Sequence, residues 1–161
     1  MDMVDSLVHA ALVGIGGTII LDLYAFLLQR VLDVSGTNWK MVGRWIGHMP
    51  KGEFIQPAIG QAKPVSGEHA LGWAFHYGIG IAYGLLLVAL WGTGWLQKPG
   101  ITEPLILALA LLMLPYCVMM PGMGMGMAGS RTPNPNMTRL KSVVGHCVFA
   151  AGMYLTARLL T

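Results

Sequence analysis

Charge is what this sequence has least of. Only 11% of its 161 residues are Asp, Glu, Lys or Arg, against about a quarter in an ordinary soluble domain. At that level a chain of this length cannot cover a water-facing surface, which argues against a soluble globular fold. The net charge of +3 comes from a few cations clustered between apolar stretches. That excludes the basic stripe a nucleic-acid-binding fold would carry, and no nucleic-acid partner is expected. Cysteine is nearly absent too. Cys117 and Cys147 both lie inside apolar runs, so they read as reduced core thiols rather than a disulfide framework. There is no CxxC pair and no Ser–His–Asp order. No lysine follows the glycines near residue 125 in a phosphate-loop pattern, so a nucleotide site has no support. The opening MDMVDS is acidic and lacks the basic start of a secretory signal. The first apolar run is also too long for one and contains Asp22, so it is expected to stay in the mature protein.

Apolar residues make up 55% of the chain, and they fall into four runs. These extend over about 6–29, 69–91, 104–120 and 142–160. About 20 helical residues cross a hydrocarbon core of about 30 Å, so the expectation is an all-α integral membrane protein, with residues 1–161 forming a single four-helix transmembrane domain. Pro115 should kink the third span or end it in non-helical backbone. Arg30, Lys40, Arg44, Lys51 and Lys63 lie in or beside the first loop, and Arg131, Arg139 and Lys141 in the third; only Lys98 and Arg158 fall on the other side. The positive-inside rule then places loops one and three in the cytoplasm and both termini outside.

Two segments carry more than hydrophobicity. From Glu68 the chain reads EHALGWAFHYGIGIAYG, where Gly72, His76, Gly80 and Gly84 recur every four residues and form one stripe on a helix. Such glycines admit another helix's backbone at close range, with His76 in the contact, while Leu85, Leu86, Leu87 and Leu90 are mostly left for lipid. In the first loop, WKMVGRWIGHM places Trp39, Val42, Trp45, Ile46 and Met49 at helical spacing. This predicts an amphipathic helix in the membrane interface, its tryptophans anchoring and its cations turned to headgroups. The third loop, PGMGMGMAGSRTPNPNMTRLK, is too rich in Gly and Pro for a helix.

Ionisable groups inside a membrane are costly and are functional candidates by default. Asp22 repeats with Gly14 and Thr18 at four-residue spacing. Counted at about 1.5 Å per residue from Arg30, Glu68 and Lys141, Asp22, His76 and His146 reach comparable depths in the cytoplasmic half. Two imidazoles and a carboxylate suffice to begin a zinc or iron(II) site, with Glu68 or His48 as additional ligands. Two histidines on different helices could also hold a haem, and the methionines at 119, 120, 123, 125 and 127 suit copper(I); haem and copper rank behind zinc or iron. The same groups could relay protons or simply fasten helices together. Methionine is equally a flexible apolar filler. Arg44 and Arg131 offer attraction to an anionic lipid or small anionic ligand, and Glu68, Tyr77 and the glycine-rich loop belong to the same end.

Several of these stretches together resemble a family of small bacterial inner-membrane proteins described only as a domain of unknown function. The resemblance rests on GTIILDLYA (Gly17–Ala25), NWKMVGRWIGHMPKGEF (Asn38–Phe54), PVSGEHALGWAFHYGIGIAY (Pro64–Tyr83), PGMGMGMAGSRTPNP (Pro121–Pro135) and the region of His146. It implies a multi-pass protein of the bacterial inner membrane and motif positions at Asp22, Trp45, His48, Glu68, His76, Arg131, Asn134 and His146. It implies no activity. The resulting expectation is a ligand-binding set of Asp22, Arg44, His48, Glu68, Tyr77, Arg131 and Asn134, with a metal held by Asp22, His76 and His146. Transport is one outcome of such a site. A membrane enzyme or haem protein acting on a lipid or quinone, and a structural subunit, are the alternatives, with a homodimer or a larger membrane complex as the assembled form.

Overall fold

The structure is a computed structural model that describes residues 2–161. It is all-helical, with no strand among the described residues. Five helices organise it: α1 Met3–Leu32, α2 Trp39–His48, α3 Glu68–Trp91, α4 Thr102–Gly122 and α5 Pro135–Leu160. All but α2 are long and apolar enough to cross a membrane. They overrun the four sequence-predicted spans at most ends, because polar residues outside the apolar run still complete helical turns and caps. Asp2 caps α1 by accepting from Asp5 N at 2.7 Å. Pro115 does interrupt α4: Pro115–Met119 is a π-helical turn, the register a chain takes when a missing N–H and a bulky ring deny the α-helical bond.

The fold correction lies at the start of α5. The third loop ends earlier than its composition suggested, since Pro135 begins a helix that runs to Leu160. Asn134 accepts from Met137 N at 3.1 Å, and Pro135 takes the position where its absent N–H costs nothing.

The described residues pack as two compact units. The first comprises residues up to Gly36, Tyr77–Ala110 and Val144–Thr161. Within it Gly80 and Gly84 of the stripe act as expected. A side chain at Gly14 would collide with the carbonyl of Gly80, and one at Gly84 with the carbonyl of Ala10, so α1 and α3 touch backbone to backbone. Another face of α1 meets α5, where Gly17 lies against Gly152, Met153 and Phe149. Tyr83 meets Phe149 edge-on at 5.1 Å. Leu86 and Leu90 are turned outward, but Leu87 is fully buried, contrary to its expected place facing lipid. The stripe's own face is only part of the side of α3 that is covered.

The second unit comprises Thr37–His76 and Leu111–Val143. Its apolar centre is Val42, Trp45, Ile59 and Met123, with Met119 and Met125 packed against it. Here α2 crosses the first turns of α3 at backbone contact: Gly43 abuts the carbonyl of Glu68, and Gly72 abuts that of Trp39. The two long loops are joined by main-chain bonds, Gln56 N to Gly122 O at 2.8 Å and Ile59 N to Met123 O at 3.1 Å. Gly124, at φ 83°, sits so close to the Pro57 carbonyl that no side chain fits.

Candidate functional site

The most elaborate polar construction is in the second unit, where α2 meets α3. Arg44 is only 6% exposed and Glu68 equally so. Arg44 donates from Nε and Nη2 to the two carboxylate oxygens of Glu68, each at 2.8 Å, and from Nη1 to the Ala62 carbonyl at 3.1 Å. Glu68 also accepts from Val65 N at 3.0 Å, and Lys40 lies 3.6 Å away. A two-pronged guanidinium–carboxylate pair is the strong form of this contact. The hydrogen bonds to Glu68 raise the Arg44 pKa above its ordinary value, so its charge is permanent. Its donors are turned to Glu68 and Ala62, and the headgroup-facing orientation expected of Arg44 is corrected. The glycines decide this: Gly43 and Gly72 let α2 lie flat on α3, which pulls Arg44 inward.

Its neighbour on the helix, His48, is 5% exposed and also turned in. Nε2 meets the Lys63 carbonyl at 2.9 Å, and Nδ1 meets Glu53 Oε2 at 2.5 Å. A carbonyl can only accept, so Nε2 carries a hydrogen, and the Nδ1–Oε2 contact then holds one further proton between ring and carboxyl. The His48 bond holds the Glu53 carboxyl below its ordinary 4.5. Trp45 donates from its indole to the Phe54 carbonyl at 2.8 Å. Trp39 stacks on His76 at 3.8 Å between ring centroids, and Trp73 meets His76 edge-on at 5.7 Å. Both tryptophans of α2 thus face protein, and the expectation that they anchor the helix in lipid is corrected.

In the first unit, Asp22 accepts a hydrogen bond from the Tyr77 hydroxyl at 3.0 Å. Both are half-buried, and so is His146. Among the described residues, no group of three or more His, Cys, Asp or Glu side chains is arranged to hold a metal ion, the set Asp22, His76 and His146 included. The metal expectation therefore gains no support from geometry. Spacing along separate helices gives only an expected depth; rotation about each helix axis is set by packing, and spacing alone does not converge side chains.

The remaining expected residues, Arg131, Asn134 and the methionines, belong to the second unit. Arg131 is exposed, its main-chain N–H bonded to Met125 O at 2.8 Å. Asn134 serves as a helix cap. Met123 is buried and Met125 half-buried in the apolar centre, while Met127 is 64% exposed. Glu53 and the Lys63 carbonyl were missed by sequence reasoning, because a partner on an irregular loop leaves no periodic signal. Among the described residues, no buried side-chain nitrogen or oxygen lacks a hydrogen-bond partner.

Compared with known families, residues 11–160 match the one described as Protein of unknown function (DUF2938). Neither the curated proteins nor the solved structures give a match.

Proposed function

The chain belongs to the DUF2938 family of unknown function, and from that premise we propose that it is a non-catalytic, multi-pass subunit of a membrane complex. The observation that carries this reading is the commitment of the buried Arg44, His48 and Glu68 to partners within the protein. Arg44 and Glu68, and likewise His48 with Glu53 and Lys63, use their strong hydrogen-bonding positions inside the protein. Such networks order backbone and specify one packing, which suits a scaffold. A catalytic base or ligand anchor, by contrast, must keep a position open for substrate. The distribution of basic residues supports an orientation with the Gly122 end of α4 and the start of α3 in the cytoplasm and both termini outside; the membrane we propose is the inner membrane of a bacterium.

The test is purification at native expression level in mild detergent, through two unrelated affinity steps, followed by mass photometry and elemental analysis. A partner retained in fixed stoichiometry, with zinc and iron below one per chain, supports the reading. A protein that runs alone and carries near-stoichiometric zinc or iron, lost in His76→Ala, overturns it in favour of a metal site.

The Asp22–Tyr77 pair favours a second reading, a small-ligand or proton site. An intramembrane carboxylate is a functional candidate, and this one is half-buried and bonded to a phenol. Native mass spectrometry of the wild type and of Tyr77→Phe separates the two readings. A bound small molecule that disappears in the variant, with folding retained, favours the site.

A further inference from the structure

Outside the four long helices, the large apolar side chains that stand exposed among the described residues are Phe54, Ile55, Ile101 and Met127. Two of these are adjacent. Phe54 is 59% exposed and Ile55 is 76% exposed, although the backbone around them is firmly tied. Glu53 is held by His48, the Phe54 carbonyl by the indole of Trp45, and Gln56 N by Gly122 O. A loop fixed on both sides, with its two largest apolar side chains facing away from the fold, has them directed at something else.

The last of those ties says at what level the loop lies. Gly122 is the final residue of α4, a helix of membrane-crossing length. Gln56 N is bonded to its carbonyl, and Ile55 and Phe54 precede Gln56 by at most about 4 and 7 Å of extended chain. With α4 spanning the bilayer, as the proposed function has it, its end comes to the headgroup–acyl boundary, where an amphipathic element buries its apolar face about 5–10 Å deep. Lys51 and Lys63, both exposed, flank the loop, and Lys/Arg beside a membrane segment is drawn to anionic headgroups. The acid within the loop, Glu53, is turned to His48.

We propose that the loop Gly52–Gln56 inserts Phe54 and Ile55 into the bilayer at the Gly122 end of α4, as a fixed interfacial anchor. The role expected of the tryptophans of α2 passes to this loop, because those tryptophans are used inside the second unit. Lipid here is the partner, and neither a second protein nor a second copy is required.

The experiment places a nitroxide at Ile55→Cys in a Cys117→Ser, Cys147→Ser background, in vesicles of phosphatidylcholine and phosphatidylglycerol. Power-saturation electron paramagnetic resonance then compares collisions with oxygen, which concentrates in lipid, and with a water-soluble nickel chelate. The exposed Leu109 of α4 serves as the lipid control and exposed Lys51 as the aqueous control. The expected result is an oxygen-to-nickel ratio at residue 55 several-fold above that at Lys51, approaching that at Leu109. Nickel-dominated collisions equal to those at Lys51 would overturn the proposal, as would shielding from both reagents, which would signal a protein cover. A second label at Phe54→Cys guards against a single disturbed position, and the same two outcomes apply to it.

Discussion

At the scale of single residues, the pair Arg44–Glu68 has the sharpest consequence. A buried guanidinium left without its carboxylate is far worse off than two apolar residues in the same space. Arg44→Met and Glu68→Leu should each lower the thermal midpoint in detergent by several degrees. The double variant should lose clearly less than the sum, which a double-mutant cycle measures. Additive losses would show that the two do not interact as the structure places them. The pair formed by His48 and Glu53 has a pH signature. Glu53 titrates lower in the folded protein than its ordinary 4.5, chiefly through the hydrogen bond from His48. A carboxyl depressed in this way stabilises the fold fully above the unfolded value and loses that contribution as pH falls through the folded one. Midpoints measured from pH 6 down to pH 3 should therefore fall less steeply for Glu53→Gln than for the wild type. Equal slopes would remove Glu53 from the account.

Elements meet through their glycines. Gly84 and Gly78 lie on the same helix, yet an added methyl at Gly84 strikes the Ala10 carbonyl, whereas at Gly78 it meets open space. Gly84→Ala should cost about 1–3 kcal/mol by overpacking. Gly78→Ala should be neutral or gain about 0.5–1 kcal/mol from helix propensity and lost unfolded-state freedom. Chemical unfolding in a fixed detergent resolves the two, and similar effects at both sites would contradict the helix contact. Much of this scale was legible beforehand. The apolar runs, the stripe of Gly72, Gly80 and Gly84, the break at Pro115 and the helical pattern of Trp39–Met49 all follow from periodicity and backbone chemistry. The start of α5 was not, because Asn134 and Pro135 read as loop residues until the following turns are seen to carry the helix onward.

At the scale of the whole molecule, the orientation inferred from basic residues predicts that reporter fusions at either terminus report the outside. A cysteine at Lys98 should be labelled by an impermeant reagent in intact cells, and one at Lys63 only after the membrane is opened. Arg44 no longer counts among the cations free to act on topology, since it is buried, but the remaining bias still runs seven to two. Reversed labelling would invert the assignment of the Phe54–Ile55 loop to the cytoplasmic leaflet without touching its insertion.

By itself the sequence determined the architecture: little charge, and four apolar runs that form helices long and apolar enough to cross a membrane. It also marked where helices could approach most closely, since only glycine permits that contact. The tertiary structure decided where the polar side chains point. Whether Arg44 faces headgroups or Glu68, and whether Trp45 anchors in lipid or binds the Phe54 carbonyl, depends on the rotation of α2 about its axis. Packing of Gly43 against α3 sets that rotation. Likewise, Asp22 finds Tyr77 because α1 and α3 are brought together at Gly14, Gly80 and Gly84. Depth along a helix is a matter of counting residues, whereas azimuth comes from contacts with the rest of the chain.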